Sequence, residues 1–465
     1  MKEKYDLAVI GAGPGGYVAA IRAAQLGMKV VCIDKRLTLG GTCLNVGCIP
    51  SKALLQSTEL YAHVLHEGQN LGLLSESTSF DFAQMMSRKE QVVESLVQGI
   101  AGLFNKHHIV FLQGDAQFID SHQLLVKNQD QQEIVEAKYI LIATGSEPIA
   151  LPTIPFQHDK IVSSTETLSL KKVPQKMIVI GGGVIGVELA SVYNRLGCHV
   201  TIIEMLPTIC PSMDKAISKQ LLQTLKKQGI NFLLSTQVTN SKIHTDNVAL
   251  DLKNEEGAQV IEAEIVLVAV GRKPYTDNLS LEKASIDVSK RGFILVDEFF
   301  RTNQPHIFAI GDVIEGVMLA HRASQEGTAV VEWINGQKSS IDYMSIPNVI
   351  YTYPEVASVG MTEQESSAAG FTILSGTSYF KGNPRARCAG ETEGFVKIIA
   401  DKKTTRVLGM HIIGPHASEI ITTGVLMIQK KMRLQEVAET IFAHPTLSEA
   451  IKEAALAALG QPLHG

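Results

Sequence analysis

Tyr5-Asp-Leu-Ala-Val-Ile10-Gly11-Ala-Gly13-Pro-Gly-Gly16 runs from a short β-rich segment straight into three spaced glycines. A helix-favouring stretch follows through Leu26, then a second β-rich run from Lys29 to Ile33 that ends at Asp34. Strand, glycine turn, helix, strand and acid in that order form the dinucleotide-binding fingerprint in its required context. Gly11 permits the tight turn, Gly13 lets a pyrophosphate approach the backbone, and Gly16 lets helix and strand pack closely. The helix N-terminus then points its free amides at the phosphates.

The unit occurs twice. Met177 to Ile180 reads as a strand, Gly181-Gly-Gly183-Val-Ile-Gly186 as the turn, and His199 to Ile203 as the next strand, ending at Glu204. Gly11 to Asp34 and Gly181 to Glu204 are both 23 positions apart. A second echo supports duplication: the apolar run from Lys138 to Gly145 reaches Pro148, and that from Glu264 to Gly271 reaches Pro274. Both read as buried strands ending in Gly-x-x-Pro. Two fingerprints imply two dinucleotides, and hence electron transfer between cofactors. Glu204 also bears on which nucleotide binds. A carboxylate hydrogen-bonds a ribose 2′-hydroxyl and repels a 2′-phosphate, and no arginine follows it in Met205-Leu-Pro207. This favours NAD over NADP.

Between the two units lies Leu39-Gly-Gly-Thr-Cys43-Leu-Asn-Val-Gly-Cys48-Ile-Pro-Ser-Lys-Ala53. On a regular helix, residues five apart have Cα atoms roughly 8 Å apart, at ~1.5 Å per residue. A disulfide needs less than about 7 Å. If the pair bonds, the first turn is distorted, and Gly47 and Pro50 stand where the backbone can supply the distortion. An iron–sulfur site would need a third cysteine soon after Cys48, where Ser51 stands. A structural zinc would need four ligands, and no second Cys/His pair lies close by in sequence. No metal site is expected. Two unlinked buried thiols or a dithiol/disulfide couple are the readings left.

Composition limits the rest. The chain has 465 residues, too many for one core, with 45% hydrophobic and 19% charged residues, ordinary for a soluble protein. A net charge of −5 and pI near 6.3 argue against nucleic acid. The basic residues near 402–406 and 430–433 read as solvated faces. No apolar run reaches the ~18 residues of a membrane span. A strand beginning at Tyr5 leaves no room for a targeting segment, so a cytoplasmic protein is expected. Six cysteines in so long a chain make no disulfide scaffold. In a reducing cytosol a persisting disulfide is usually catalytic, which suits only the 43–48 pair.

Further along, a mostly helical region is expected over about 80–108 and a turn-rich hairpin over about 110–137. The run Ile307–Ile310 delivers Gly311 and Asp312 to a turn, and a helix follows Met318-Leu-Ala-His321. Beyond Ile346 the pattern changes to α+β, with strands near 348–359, 371–380, 394–400 and 407–413 and long helices near 416–430 and 434–441. The chain closes on His444-Pro-Thr-Leu-Ser-Glu449 and an alanine-rich helix through Leu459. His444 and Glu449 are a surface pair before a helix, or an orienter–base pair in which the carboxylate fixes one ring nitrogen and frees the other.

Taken together, these residues resemble the disulfide-containing flavoprotein reductases, the class I pyridine nucleotide-disulfide oxidoreductase family, over essentially the whole chain. Gly40 to Lys52 matches the redox signature of the dihydrolipoamide-oxidising members nearly letter for letter, and His444 to Glu449 matches their C-terminal signature. Glutathione-type reductases carry a second lysine where Ser51 stands. Mercuric reductases add a C-terminal cysteine pair that Gly460-Gln-Pro-Leu-His-Gly465 lacks. The resemblance implies an α/β fold with two Rossmann-like dinucleotide-binding domains and a C-terminal α+β dimerisation domain. The boundaries it implies are residues 1–147 (FAD domain with the disulfide), 148–274 (NAD domain), 275–345 (central, completing the FAD site) and 346–465 (dimerisation).

The same resemblance implies site residues. Cys43, Cys48, His444 and Glu449 are catalytic, with Cys43 exchanging with substrate and Cys48 lying at the flavin. Gly11, Gly13, Gly16, Asp34, Gly41, Thr42, Ala116, Gly145, Asp312 and Ala320 contact FAD, the short Asp34 reaching the ribose through water. Lys52 lies near the flavin ring with Glu188 as its ionic neighbour. Gly181, Gly183, Gly186, Glu204, Val238 and Gly271 form the NAD site. The implied activity is oxidation of protein-bound dihydrolipoamide to lipoamide with reduction of NAD+ to NADH. The implied partners are a second copy of the chain and the lipoyl-carrying domains of 2-oxoacid dehydrogenase complexes or the glycine-cleavage carrier protein. A reductase for another disulfide and a non-catalytic redox sensor are the alternative readings.

Overall fold

The strand Lys4–Ile10 is apolar on both faces from Leu7 onward, as a strand covered by helices on both sides must be. A computed structural model describes residues 4–73, 78–129, 131–157 and 159–464. In it this strand lies between parallel neighbours Val30–Asp34 and Gln132–Ile142, pairing Ile10 with Ile33 and with Ile142. Val110–Gln113 extends the sheet beyond Val30–Asp34. The long strand Gln132–Ile142 serves two partners. Its first half pairs antiparallel with Gln123–Lys127, and its last three residues pair parallel with Ile307–Ala309. Segment 307–309 thus returns from far along the chain to complete the first sheet, which delivers Gly311 and Asp312 to the end of the strand Gln132–Ile142, where Asp312 meets Ser146.

The second unit repeats the plan with a five-stranded parallel sheet in the order Asn231–Leu233, His199–Ile203, Lys176–Ile180, Ile265–Val268, Ile161–Val162. An antiparallel ribbon of Gln237–Ile243, Val248–Asn254 and Gly257–Ala263 packs beside it. The two glycine turns match in backbone as well as spacing. Gly11 and Gly181 have φ of +102° and +108°, a region that side-chain-bearing residues avoid. A Cβ on Gly16 or Gly186 would lie 1.8 or 2.1 Å from the carbonyl oxygen of Gly11 or Gly181.

The C-terminal unit is a five-stranded antiparallel sheet, ordered Asn348–Ile350, Glu355–Gly360, Val407–Gly414, Phe395–Asp401, Ile373–Tyr379, with helices Ala417–Gln429 and Glu449–Ala458 packed on it. Three expectations change here and upstream. The strand near 348–359 is two strands folded as a hairpin, because Tyr351–Pro354 interrupts the ladder. The long helix near 434–441 is only Leu434–Glu439: Thr440 turns to extended backbone (ψ 135°) and its hydroxyl donates to the Glu436 carbonyl. The hairpin over 110–137 excludes Val110–Gln113, which joins the parallel part of the sheet, and consists of Asp115–Phe118 and Gln123–Lys127 with the long strand.

A buried ion pair joins the second and third units. Asp214, which caps the helix Lys215–Lys227, accepts from Lys397 Nζ at 2.9 Å, and Lys397 also lies 3.2 Å from Glu363. Burial opposes ionisation of Asp214, but its bond to Lys397, helped by the Ala216 amide, holds the carboxyl below its ordinary value of 3.8. Its stabilising effect is therefore complete above pH 3.8 and disappears as pH falls through the depressed native value. Asp214→Asn should cost about 3 kcal/mol at neutral pH. Urea unfolding at a series of pH values should show the gap to the native protein closing in acid.

Candidate active site

Cys43 and Cys48 are bonded to each other, with Cα atoms 4.7 Å apart. The approach is possible because the helix is broken between them: Gly41–Val46 ends, Gly47 takes φ −143° and ψ −112°, and Cys48–Glu67 begins afresh. Gly47 supplies the distortion, since a Cβ there would meet the Thr42 carbonyl oxygen at 2.9 Å. Pro50 sits in the first turn of the second helix, where no amide partner is needed. The other described cysteines are free. Cys32, Cys198 and Cys210 are buried and Cys388 is exposed. Burial pushes the Cys198 and Cys210 thiols up to about 12, so they are inert at neutral pH.

Lys52 follows Cys48 by four residues and so shares its helix face. Its Nζ lies 2.8 Å from Glu188 Oε2, a carboxylate only 4% exposed, on the helix that opens the second glycine turn. A third unit closes this contact. The Tyr351 amide donates to Glu188 Oε1 at 2.9 Å, and the Tyr351 ring lies 4.6 Å from Lys52 Nζ, within cation–π range. The first unit's helix, the second unit's carboxylate and the third unit's tyrosine therefore meet beside the disulfide. No sequence motif announces Tyr351.

Both glycine turns have the form of phosphate cradles. The helices Pro14–Gln25 and Val184–Arg195 start at Gly13 and Gly183 with no side-chain cap, so their first amides are left for a ligand. Gly183 has open space where a Cβ would point. At the first turn a second uncapped helix, Gly41–Val46, comes in so closely that a Cβ on Gly41 would lie 2.5 Å from the Gly13 Cα. Gly41 thus sits directly against the Gly11–Gly16 turn, and Thr42 follows it on the same short helix.

Each acid also braces its own turn. Asp34 accepts from the Ala12 and Arg36 amides at 2.7 and 2.8 Å, and Glu204 from the Gly182 and Leu206 amides at 2.7 and 2.8 Å. Asp312 accepts from Ser146 Oγ at 2.6 Å, next to Gly145. Ala116 is buried in the strand Asp115–Phe118, and Ala320 begins the helix Ala320–Ile334. Gly271 (φ +132°) ends the strand run of the second unit, and half-buried Val238 lies in the antiparallel ribbon beside it.

The remaining pair lies in the C-terminal unit. Glu449 Oε1 pairs with His444 Nδ1 at 2.9 Å, while Oε2 accepts the Thr446 amide at 2.8 Å. Burial opposes ionisation of Glu449, yet the Thr446 amide and the His444 ring hold it below its ordinary value. Glu449 is thus a carboxylate that fixes Nδ1 and leaves Nε2 free to take a proton. The imidazole is exposed, with a side-chain exposure of 67%, and faces a recess of about 370 Å³ lined also by Tyr379, Asn383 and Ile441. Among the described residues no hydrogen bond or ion pair joins His444 to the disulfide of its own chain. No cluster of three or more metal-ligating side chains occurs among them, and no helix is long and apolar enough to cross a membrane.

The uncapped turns and the acids beside them fit two bound dinucleotides. Comparison with known proteins agrees. Residues 5–327 match the model of the pyridine nucleotide-disulphide oxidoreductases, and residues 346–455 that of their dimerisation domain. The chain is 46% identical to a mitochondrial dihydrolipoyl dehydrogenase of Arabidopsis thaliana, over 99% of this chain and 92% of that protein. It is 48% identical to a dihydrolipoamide dehydrogenase of Chaetomium thermophilum, again over 99% and 92%. Among solved structures, LpdA of Mycobacterium tuberculosis superposes with a TM-score of 0.90 at 27% identity, covering 97% of this chain and 98% of that one. The flavoprotein disulfide reductase RclA of Escherichia coli gives 0.87 at 29%, covering 97% and 99%. With both domain models matched and near-full-length relatives at this identity, the chain belongs to the pyridine nucleotide-disulphide oxidoreductase family.

Proposed function

We propose that the protein oxidises dihydrolipoamide to lipoamide and reduces NAD+ to NADH, using FAD and the Cys43–Cys48 disulfide. The observation that carries this reading is the disulfide itself, closed across a broken helix beside two dinucleotide turns. The cofactors are FAD and NAD. When bound, FAD supplies a two-electron carrier between dithiol and nicotinamide. Gly11 to Gly16, Asp34, Gly41, Thr42, Ala116, Gly145, Asp312 and Ala320 hold it in this account. Gly181 to Gly186, Glu204, Val238 and Gly271 hold NAD, with Lys52 and Glu188 between the two.

The chain's own residues perform a thiol–disulfide exchange. His444 Nε2 takes the proton from one substrate thiol. The resulting thiolate attacks Cys43 Sγ, the Cys43–Cys48 bond breaks, and Cys48 leaves as a thiolate. The second substrate thiol gives its proton to solvent, and the thiolate so formed attacks the substrate sulfur of the mixed disulfide and releases Cys43. The substrate is oxidised to its cyclic disulfide and the protein pair is reduced to the dithiol. The nearby imidazolium stabilises the Cys43 thiolate, and Glu449 stabilises the imidazolium. The protein carries the dimerisation domain and is a homodimer. Lipoyl-lysine on carrier domains of 2-oxoacid dehydrogenase complexes or of the glycine-cleavage system is its proposed substrate. The domain boundaries read from the sequence, and a cytoplasmic location, belong to the same proposal.

An NAD+-linked assay with dihydrolipoamide, run beside NADPH-linked reduction of glutathione disulfide, tests it. Turnover in the first and none in the second is expected, and the reverse pattern overturns it. Nucleotide choice should rest on Glu204. Replacing Glu204 by Ala and Met205 by Arg should cut the preference for NAD+ by about ten- to a hundred-fold, the worth of one hydrogen bond to a charged group. Steady-state kinetics with each nucleotide measure this, and equal use of both by the native enzyme contradicts it.

A further inference from the structure

Arg272 has no part in the reading above, yet it ties the two nucleotide units together. It follows Gly271 in the strand Arg272–Pro274, which pairs antiparallel with Ser146–Pro148. Arg272 Nε donates to Ser146 Oγ at 2.8 Å, and Nη2 donates to the Ser146 carbonyl at 2.6 Å. Ser146 Oγ in turn donates to Asp312 Oδ2 at 2.6 Å. A guanidinium only donates, so it occupies a lone pair of Oγ and leaves the single hydroxyl proton for the carboxylate. The direction of the chain is therefore fixed from Arg272 through Ser146 to Asp312. Burial pushes the Arg272 guanidinium's pKa down, while Asp312 and Glu147 act against that shift. Further stitches hold the ribbon: Lys273 to Glu147 at 2.9 Å, Thr144 Oγ1 to the Tyr275 carbonyl at 2.6 Å, and the Tyr275 amide to the Gly145 carbonyl at 2.9 Å.

We propose that Arg272 is a positioning residue for Asp312, acting through Ser146, and that this chain couples retention of the flavin to the position of the nucleotide turn at Gly271. The proposal rests on the assignment of Asp312 to the FAD site and Gly271 to the NAD site. Its physical basis is that a carboxylate held at one oxygen by a fixed donor presents the other oxygen in one orientation. Movement of the Gly271 turn shifts Arg272, and with it the Ser146 hydroxyl.

The test uses the FAD-loaded protein and follows flavin release by the fluorescence of freed FAD. Arg272→Met and Ser146→Ala should each speed release by about ten- to a hundred-fold. Arg272→Lys should fall between, because an ammonium does not span both Ser146 acceptors as the planar fork does. The double variant should be no faster than the faster single one, since both break the same chain. Saturating NAD+ should alter the release rate of the native protein and leave that of Arg272→Met unchanged. Ser146→Ala removes a single oxygen, so its release rate decides the matter even where Arg272→Met fails to fold. Native release rates in Ser146→Ala, additive effects in the double variant, or an NAD+ effect that persists in Arg272→Met would each overturn the proposal. A native protein that purifies without flavin would instead overturn the functional reading on which the proposal rests.

Discussion

Cys43→Ser and Cys48→Ser proteins are expected to fold, bind FAD and fail to oxidise dihydrolipoamide, with turnover lowered by about 10³-fold or more. The exchange needs both sulfurs, one to be attacked and one to leave, and serine oxygen can do neither under these conditions. The loss should be the same for the two single variants and for the double, because each removes the same unit. Thiol labelling gives an independent readout. The unreduced native protein has one exposed free cysteine, Cys388, against three buried ones, so an alkylating reagent should modify mainly that residue. One equivalent of dihydrolipoamide should then add labelling at Cys43 and Cys48 in the native protein, both of which are only half-buried. A Cys43→Ser protein that still turns over the dithiol would remove the disulfide from the mechanism.

The second large effect is at His444. A positioned general base typically contributes about 10²–10⁴-fold. His444→Ala should lower dithiol oxidation within that range and leave FAD content unaffected, since among the described residues the polar contact of its ring is with Glu449, far along the chain from both glycine turns. Glu449→Ala should have a smaller effect with the same sign. It frees both the imidazole and the Thr446 amide, but keeps the base itself.

The parts of the fold and site that are legible in the sequence are those whose physics is local. Gly11 and Gly181 need a left-handed backbone, and Gly16 and Gly186 have no room for a side chain, so the residue types at those positions report the structure directly. Gly47 is legible for the same kind of reason: bonded cysteines five positions apart, with four residues between them, would lie too far from each other on a regular helix, and a glycine lets the helix break there. Other parts are set by pairing between distant segments, which a single sequence does not display. The strand Ile307–Ala309 completes the first sheet only through its register with Ile140 to Ile142. Ser146 and Arg272 follow the two echoed glycines, Gly145 and Gly271, and this echo was the available signal, but their contact depends on the antiparallel ribbon between them. Tyr351 reaches Lys52 and Glu188 from the third unit and carries no motif at all. The helix at Leu434–Glu439 falls short of its apolar pattern because Thr440 bonds back to Glu436, a side-chain competition that periodicity does not register.

The account requires the disulfide and the His444–Glu449 pair to act on one dithiol, although the imidazole is exposed and unlinked to its own chain's cysteines among the described residues. Two-fold symmetry resolves this if His444 of one chain serves the disulfide of the other, since an isologous contact creates two equivalent composite sites. A purified mixed dimer of one Cys48→Ser chain and one His444→Ala chain measures it directly. With shared sites, one site loses both groups and the other regains a complete disulfide and a native imidazole. The account therefore predicts recovery of up to half the native activity per dimer, from parents that are each nearly inactive. A mixed dimer no more active than its parents would contradict it.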